Sequence, residues 1–118
     1  MNLSLCLECD KGTVGIIRNP YERLITGYMQ SLNYIGFDAW IHESKIPTQV
    51  SLYKDCGYLI RFEDWKNELD KLDLGEVDVS VLDGQKVYAH WKSWYTIRTI
   101  THVTEQYQED ITRFGYTL

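Results

Sequence analysis

An α/β layer, a small parallel sheet flanked by helices, is the fold that this sequence predicts, and three observations predict it. Two short, continuous apolar runs, TVGII at 13–17 and GYLIRF at 57–62, have the composition of strands buried on both faces. Each run passes straight into a segment with helix-start chemistry. A long helical stripe then closes the chain. Strands that alternate with helices select a parallel sheet, because a parallel crossover needs a connection of helix length.

The elements follow in order. After TVGII, Asn19 is a good N-cap, Pro20 suits the first helical position, and Glu22 at the third is placed to complete a capping box. Leu24, Ile25, Tyr28 and Leu32 recur at helical spacing behind it. FDAWIHES (37–44) reads as a short second helix, closed off before Pro47. IPTQVSLY (46–53) holds either a further helical turn or an extended loop. GYLIRF is the second buried strand, with EDWKNELDKL (63–72) as a charged amphipathic helix behind it. EVDVSVL (76–82) alternates, as a strand with one wet face or an extended tail, and Asp83-Gly84 turns the chain. Ile97, Ile100, Val103, Thr104, Tyr107, Ile111 and Phe114 trace one stripe from about residue 96 to 113, with Gly115 placed to cap it.

Bulk properties narrow the function classes. A length of 118 residues fits one domain, 1–118, with a modest core. The net charge of -5 argues against a broad nucleic-acid or anionic-membrane surface, although a local basic pocket is compatible with it. No apolar run approaches the roughly 20 residues that span a bilayer. The start, MNLSLCLECDK, lacks the basic region of a secretory signal, so a cytoplasmic location is expected. Cys6 and Cys9 form a C-x-x-C, but a structural zinc needs two more ligands, and only Cys56 and three scattered histidines remain. Two small residues in a starting strand is the plainer reading. Four tryptophans and nine tyrosines exceed what this length needs, and serve either a core or a binding face.

The stretch IIRNPYERLITGY (16–28) raises the functional question. A strand ending in Arg18 and running into a helix N-terminus is a suitable anion site, since first-turn N–H groups lack partners and the helix dipole is positive there. Arg18 adds a charge with fork geometry suited to phosphate, and the Thr26 hydroxyl lies along the same helix. From spacing alone the alternative stays open: Arg18 paired with a carboxylate, Thr26 merely packed.

Those residues also carry a resemblance. IIRNPYERLITGY resembles the Arg-Asn-Pro-Tyr-x-Arg segment of the carbohydrate sulfotransferases, which use 3'-phosphoadenosine 5'-phosphosulfate (PAPS). FDAWIH, the Pro-x-Gln in IPTQVSLY, GYLIRFEDWKNEL and the ending HWKSWYTIRTITHVTEQYQEDITRFGY are similar to later segments of that family, in order, over about residues 13 to 118. The first and last segments are the specific ones. The resemblance implies that Arg18 binds the nucleotide 3'-phosphate, with Thr26 in the place of the family's serine.

The family's 5'-phosphosulfate loop has no counterpart. CDKGTVG (9–15) offers Lys11, Gly12 and Thr13 in a tempting order, but a phosphate loop must open a helix, and Thr13 runs into the next strand. The resemblance therefore implies a truncated, P-loop-related domain. His42 and His102 read as surface and structural residues, His90 lies near the implied nucleotide or acceptor side with Lys86 and Lys92, and Glu63 reads as a scaffold acid. The expected function is a degenerate sulfotransferase-like binding or interaction module that requires no cofactor. It would keep a vestigial site for PAPS or 3',5'-bisphosphoadenosine. The alternative is a PAPS-dependent sulfotransferase, either minimal or completed by a partner chain. An open sheet flank where the first unit is missing would favour self-association, and the aromatic VYAHWKSWY (87–95) would suit a sticky face.

Overall fold

β-Branched and apolar residues build the middle of the sheet. The computed structural model describes residues 3–31 and 35–117, and among them the strands are β1 (Cys6–Cys9), β2 (Gly12–Ile17) and β3 (Tyr58–Arg61), in the order β1-β2-β3. β2 and β3 run parallel, with Val14 opposite Tyr58 and Ile17 opposite Arg61, as the two apolar runs predict.

The third strand corrects the all-parallel expectation. β1 pairs antiparallel with β2, from Cys6 opposite Gly15 to Cys9 opposite Gly12, so the sheet is mixed. Only Asp10 and Lys11 link the two strands. That is enough for a hairpin and far too short for a parallel crossover. Gly12, at φ 134°, takes a backbone conformation that side-chain-bearing residues disfavour. β3 is corrected too: it lies at the sheet edge with only Ile60 buried, and Leu59 is 39% exposed.

α1 (Pro20–Gln30) starts where its capping chemistry places it. The Asn19 side chain accepts hydrogen bonds from the N–H groups of Tyr21 and Glu22, at 2.9 and 3.4 Å. The second half of the capping box does not form. The Glu22 carboxylate is taken by Arg18, and the Asn19 N–H donates to Glu63 instead, at 3.1 Å. Leu32 lies outside the described residues.

α2 (Phe37–Glu43) packs with α1 and with α6 (Ile97–Gln106) around Tyr21, Leu24, Trp40, Ile41, Val103 and Tyr107. A one-turn helix, α3 (Gln49–Leu52), resolves the ambiguity in IPTQVSLY. Its neighbour Tyr53 joins Ile17 and Phe114 on one face of the sheet. The other face carries Leu7, Val14, Ile16, Ile60 and Phe62, covered by Leu74 and Leu82. α4 (Trp65–Leu72) follows a 3₁₀ turn at Phe62–Asp64 and buries no residue fully. Residues 76–79 extend without a strand partner, half-burying Val77 and Val79, before the short α5 (Ser80–Asp83), so the alternating pattern was a tail.

The closing stripe is two helices. α6 ends before Tyr107, whose φ of -111° and ψ of 26° break the run, and α7 (Gln108–Phe114) is capped by Gly115 at φ 74°. Ile97 drops out of the stripe at 87% exposure. Among the described residues, no helix is long and apolar enough to cross a membrane.

Candidate functional site

Arg18 sits between the last residue of β2 and the N-cap of α1, and it is only 3% exposed. Its backbone is clamped by a buried amide. The Arg18 N–H donates to Gln49 Oε1 at 2.7 Å, and Gln49 Nε2 donates back to the Arg18 carbonyl at 2.8 Å. Gln49 is fixed in turn by Asp110, whose carboxylate accepts from the N–H groups of Gln49 and Val50 at 2.8 and 2.9 Å. The strand–helix junction, the Pro-x-Gln stretch and the chain's last helix therefore meet at one point.

The Arg18 guanidinium lies over the Phe62 ring, 4.3 Å from its centroid. Nη2 pairs with the Glu22 carboxylate and also reaches the Lys86 carbonyl at 3.2 Å. Nε meets no protein acceptor. The carboxylate pairing left open by the spacing is thus present, and it occupies only one edge of the guanidinium. Thr26 is buried, with its hydroxyl 3.5 Å from the Glu22 carbonyl.

The N-terminus of α1 is closed as an anion site. Pro20 has no N–H, Asn19 takes those of Tyr21 and Glu22, and Arg23 N–H bonds the Asn19 carbonyl at 2.9 Å. The polar opening lies further along the helix flank. Arg18, Arg23 and Thr26 line a cavity of about 80 Å³ together with Gln30 and Gln85. Leu3 and Leu5 wall its remaining side. About 10–15 Å³ of such volume holds one water, so this cavity takes several waters or one tetrahedral anion.

Arg23 is the residue that sequence reasoning passed over. It is 2% exposed, and its Nη1 donates to the Pro47 carbonyl at 3.0 Å. Its Nε and Nη2 meet no protein acceptor. Burial pulls its pKa below the ordinary value, with Arg18 adding to the shift and Tyr53, Tyr107 and Asp110 opposing it. Among the described residues, every buried side-chain nitrogen or oxygen without a hydrogen-bond partner belongs to Arg18 or Arg23. Each such donor costs about 1–3 kcal/mol while it stays unpaired. A signal was available: Arg23 and Thr26 stand three apart on one helix, which puts them on one face.

Other sequence candidates lie elsewhere. Lys11 stands in the hairpin turn and donates to the Asp73 carbonyl at 2.9 Å, and it leads into a strand. His42 and His102 meet between α2 and α6, their rings tilted by 33° with centroids 4.4 Å apart. His90 is exposed, ahead of a 3₁₀ turn at Trp91–Trp94. Lys92 lies over the Trp91 ring and Lys86 over Tyr88. Glu63 is a scaffold acid, accepting from the Asn19 N–H and the Tyr116 hydroxyl. The aromatic rings of the run are half-buried: Trp91 stacks on Tyr21 at 4.9 Å, and the Tyr95 hydroxyl donates to the Tyr21 carbonyl at 2.7 Å, while Val87, Ala89, His90 and Lys92 are exposed. Among the described residues, no group of three or more His, Cys, Asp or Glu side chains is placed to hold a metal ion. Comparison with protein-family models, with curated proteins and with solved structures returns no match for this chain.

Proposed function

We propose that this chain is a degenerate sulfotransferase-like binding module, in which the cavity beside α1 takes the 3'-phosphate of 3',5'-bisphosphoadenosine. The observation that carries the reading is convergence. Arg18 and Thr26, which the resemblance singles out, line one small cavity with Arg23, and the unpaired guanidinium N–H groups belong to that same pair of arginines. A phosphate group matches those donors in charge and in the number of acceptors. Its nucleoside stays outside, because about 80 Å³ has no room for it.

Catalysis is not part of the proposal. Sulfuryl transfer develops charge on the bridging and 5'-phosphate oxygens, and removing a single positioned donor at such a place costs roughly 3–4 kcal/mol. Lys11 is the only phosphosulfate-loop candidate in the sequence, and its hairpin turn opens no helix.

Calorimetry with 3',5'-bisphosphoadenosine and with adenosine 5'-phosphate tests the reading. The bisphosphate should bind tighter, and Arg18→Ala should abolish the preference, at about 1.5–3 kcal/mol for one charge-assisted contact. Thr26→Val, close to isosteric, should weaken it without disturbing the fold. Equal binding of both nucleotides would overturn the proposal. Incubation with labelled PAPS and hydroxyl acceptors should give no transfer; turnover that vanishes in Arg18→Ala would establish the enzyme reading instead.

A further inference from the structure

Side chains three residues apart on a strand point to opposite faces, so the C-x-x-C of the sequence is split by β1. Cys9 lies on the side of Leu7 and Val14, packed against the core cluster. Cys6 lies on the side of Gly15. There it meets a cysteine fifty residues away: the sulfurs of Cys6 and Cys56 are 4.0 Å apart.

The contact has an architectural cause. Cys56 sits on the loop that enters β3, with its N–H bonded to the Tyr53 carbonyl at 3.0 Å. Tyr53 lies flat across β2 at Gly15, where a Cβ would come within 2.9 Å of its ring carbons. The missing side chain lets the loop settle onto the sheet and brings Cys56 over to β1. Cys6 is exposed and Cys56 half-buried, so one sulfur is open to a reagent and the other waits beside it. Burial, and then the neighbouring Cys6, hold the Cys56 thiol above its ordinary pKa, which favours Cys6 as the first to react.

We propose that Cys6 and Cys56 form a redox-active pair that closes into a disulfide by exchange with a low-molecular-weight disulfide. The Cys6 thiolate attacks one sulfur of the reagent; a Cys6–sulfur bond forms, the reagent's S–S bond breaks, and one thiolate leaves. The Cys56 thiol gives up its proton to solvent and attacks the Cys6 sulfur, expelling the second thiolate. Two protein thiols are oxidised, and one reagent disulfide is reduced to two thiols. The sulfurs must close to about 2.05 Å, a movement of roughly 2 Å that a short terminal strand and a loop can share.

Oxidised glutathione with the full chain is the test, read by intact mass and peptide mapping. The expected product is lighter by two hydrogens, carries a Cys6–Cys56 cross-link, and keeps one of its three thiols; dithiothreitol reverses it. Cys9→Ser should behave identically. Cys56→Ser should stop at a glutathione adduct on Cys6, and Cys6→Ser should form no internal cross-link. A Cys6–Cys9 cross-link, a persistent glutathione adduct on the unaltered chain, or an unchanged mass would each overturn the proposal.

Discussion

Glu22 sets how much positive charge the cavity presents. Its carboxylate pairs with Arg18 while both side chains are almost wholly buried, at 8% and 4% exposure. With Arg18 and Arg23 counted as positive and Glu22 as negative, the group carries one net positive charge. Removing one member of a buried pair strands the other, at about 3–5 kcal/mol. Glu22→Gln should therefore lower the melting temperature in the absence of a multivalent anion. The stranded charge should then favour an anion in the cavity. Phosphate should recover part of the lost stability through mass action and bind the variant at least roughly tenfold more tightly than the parent, about 1.4 kcal/mol. Melts in phosphate, with chloride at matched ionic strength, check this. An equal phosphate response in the two proteins would remove Arg18 from the anion site.

At the scale of elements, α3 shows how the junction is held. Four residues cannot sustain a helix alone, so its start is fixed from outside. Thr48 caps the Ser51 N–H at 3.2 Å, and both Asp110 oxygens accept from the next free amides. Asp110→Ala should release α3, and with it the Gln49 clamp on the Arg18 backbone, at about 1.5–3 kcal/mol for hydrogen bonds to a charged group. Amide exchange at Gln49 and Val50 should rise well beyond that of the α6 amides, and unchanged protection there would count against the clamp. The sequence carried the parts of this junction unevenly. Asn19-Pro20 announced the start of α1 because capping acts within three residues. TVGII and GYLIRF announced a parallel pair because both are apolar and precede helices. The starting strand at Cys6–Cys9 was legible, but its antiparallel pairing was hidden, since CLEC gives too few residues for a period to show. The Tyr107 break was hidden because the apolar stripe runs through it unchanged. Asp110 and Gln49 looked like ordinary polar residues, and their role depends on a contact across 61 positions.

For the whole molecule, β1 occupies the flank of β2 that the resemblance to sulfotransferases would leave open, so the free edge on that side is the short strand β1. Among the described residues, the exposed large apolar side chains are Met29, Leu59, Val81, Val87 and Ile97, on separate segments. What ties distant segments together is a set of phenols, Tyr53 and Tyr107 buried and Tyr95 and Tyr116 half-buried. The Leu5 N–H donates to the Tyr53 hydroxyl at 2.9 Å, and the Tyr95 and Tyr107 hydroxyls donate to the carbonyls of Tyr21 and Ile46. The Tyr116 hydroxyl donates to Glu63. Burial is the largest cause raising the pKa of each, with Tyr107 pushed up to about 12 and Tyr95 and Tyr116 pushed higher. A raised acid pKa means that the folded chain holds its proton more tightly than the unfolded one. The contribution of these phenols is therefore complete below the ordinary value of 10.0, and it declines as the pH climbs from there towards about 12. Ionisation also removes the proton that Tyr95, Tyr107 and Tyr116 donate, so each staple is lost with its charge change. Alkaline titration should thus couple the two signals: phenolate absorbance from this set and loss of helical circular dichroism should rise together in one cooperative step above pH 10. Tyr107→Phe removes one of these ionisable groups and should move the midpoint of that step upward at the cost of some stability near neutrality. Full phenolate formation at unchanged circular dichroism would mean that the phenols reach solvent without unfolding, and that they do not fasten the molecule as a unit.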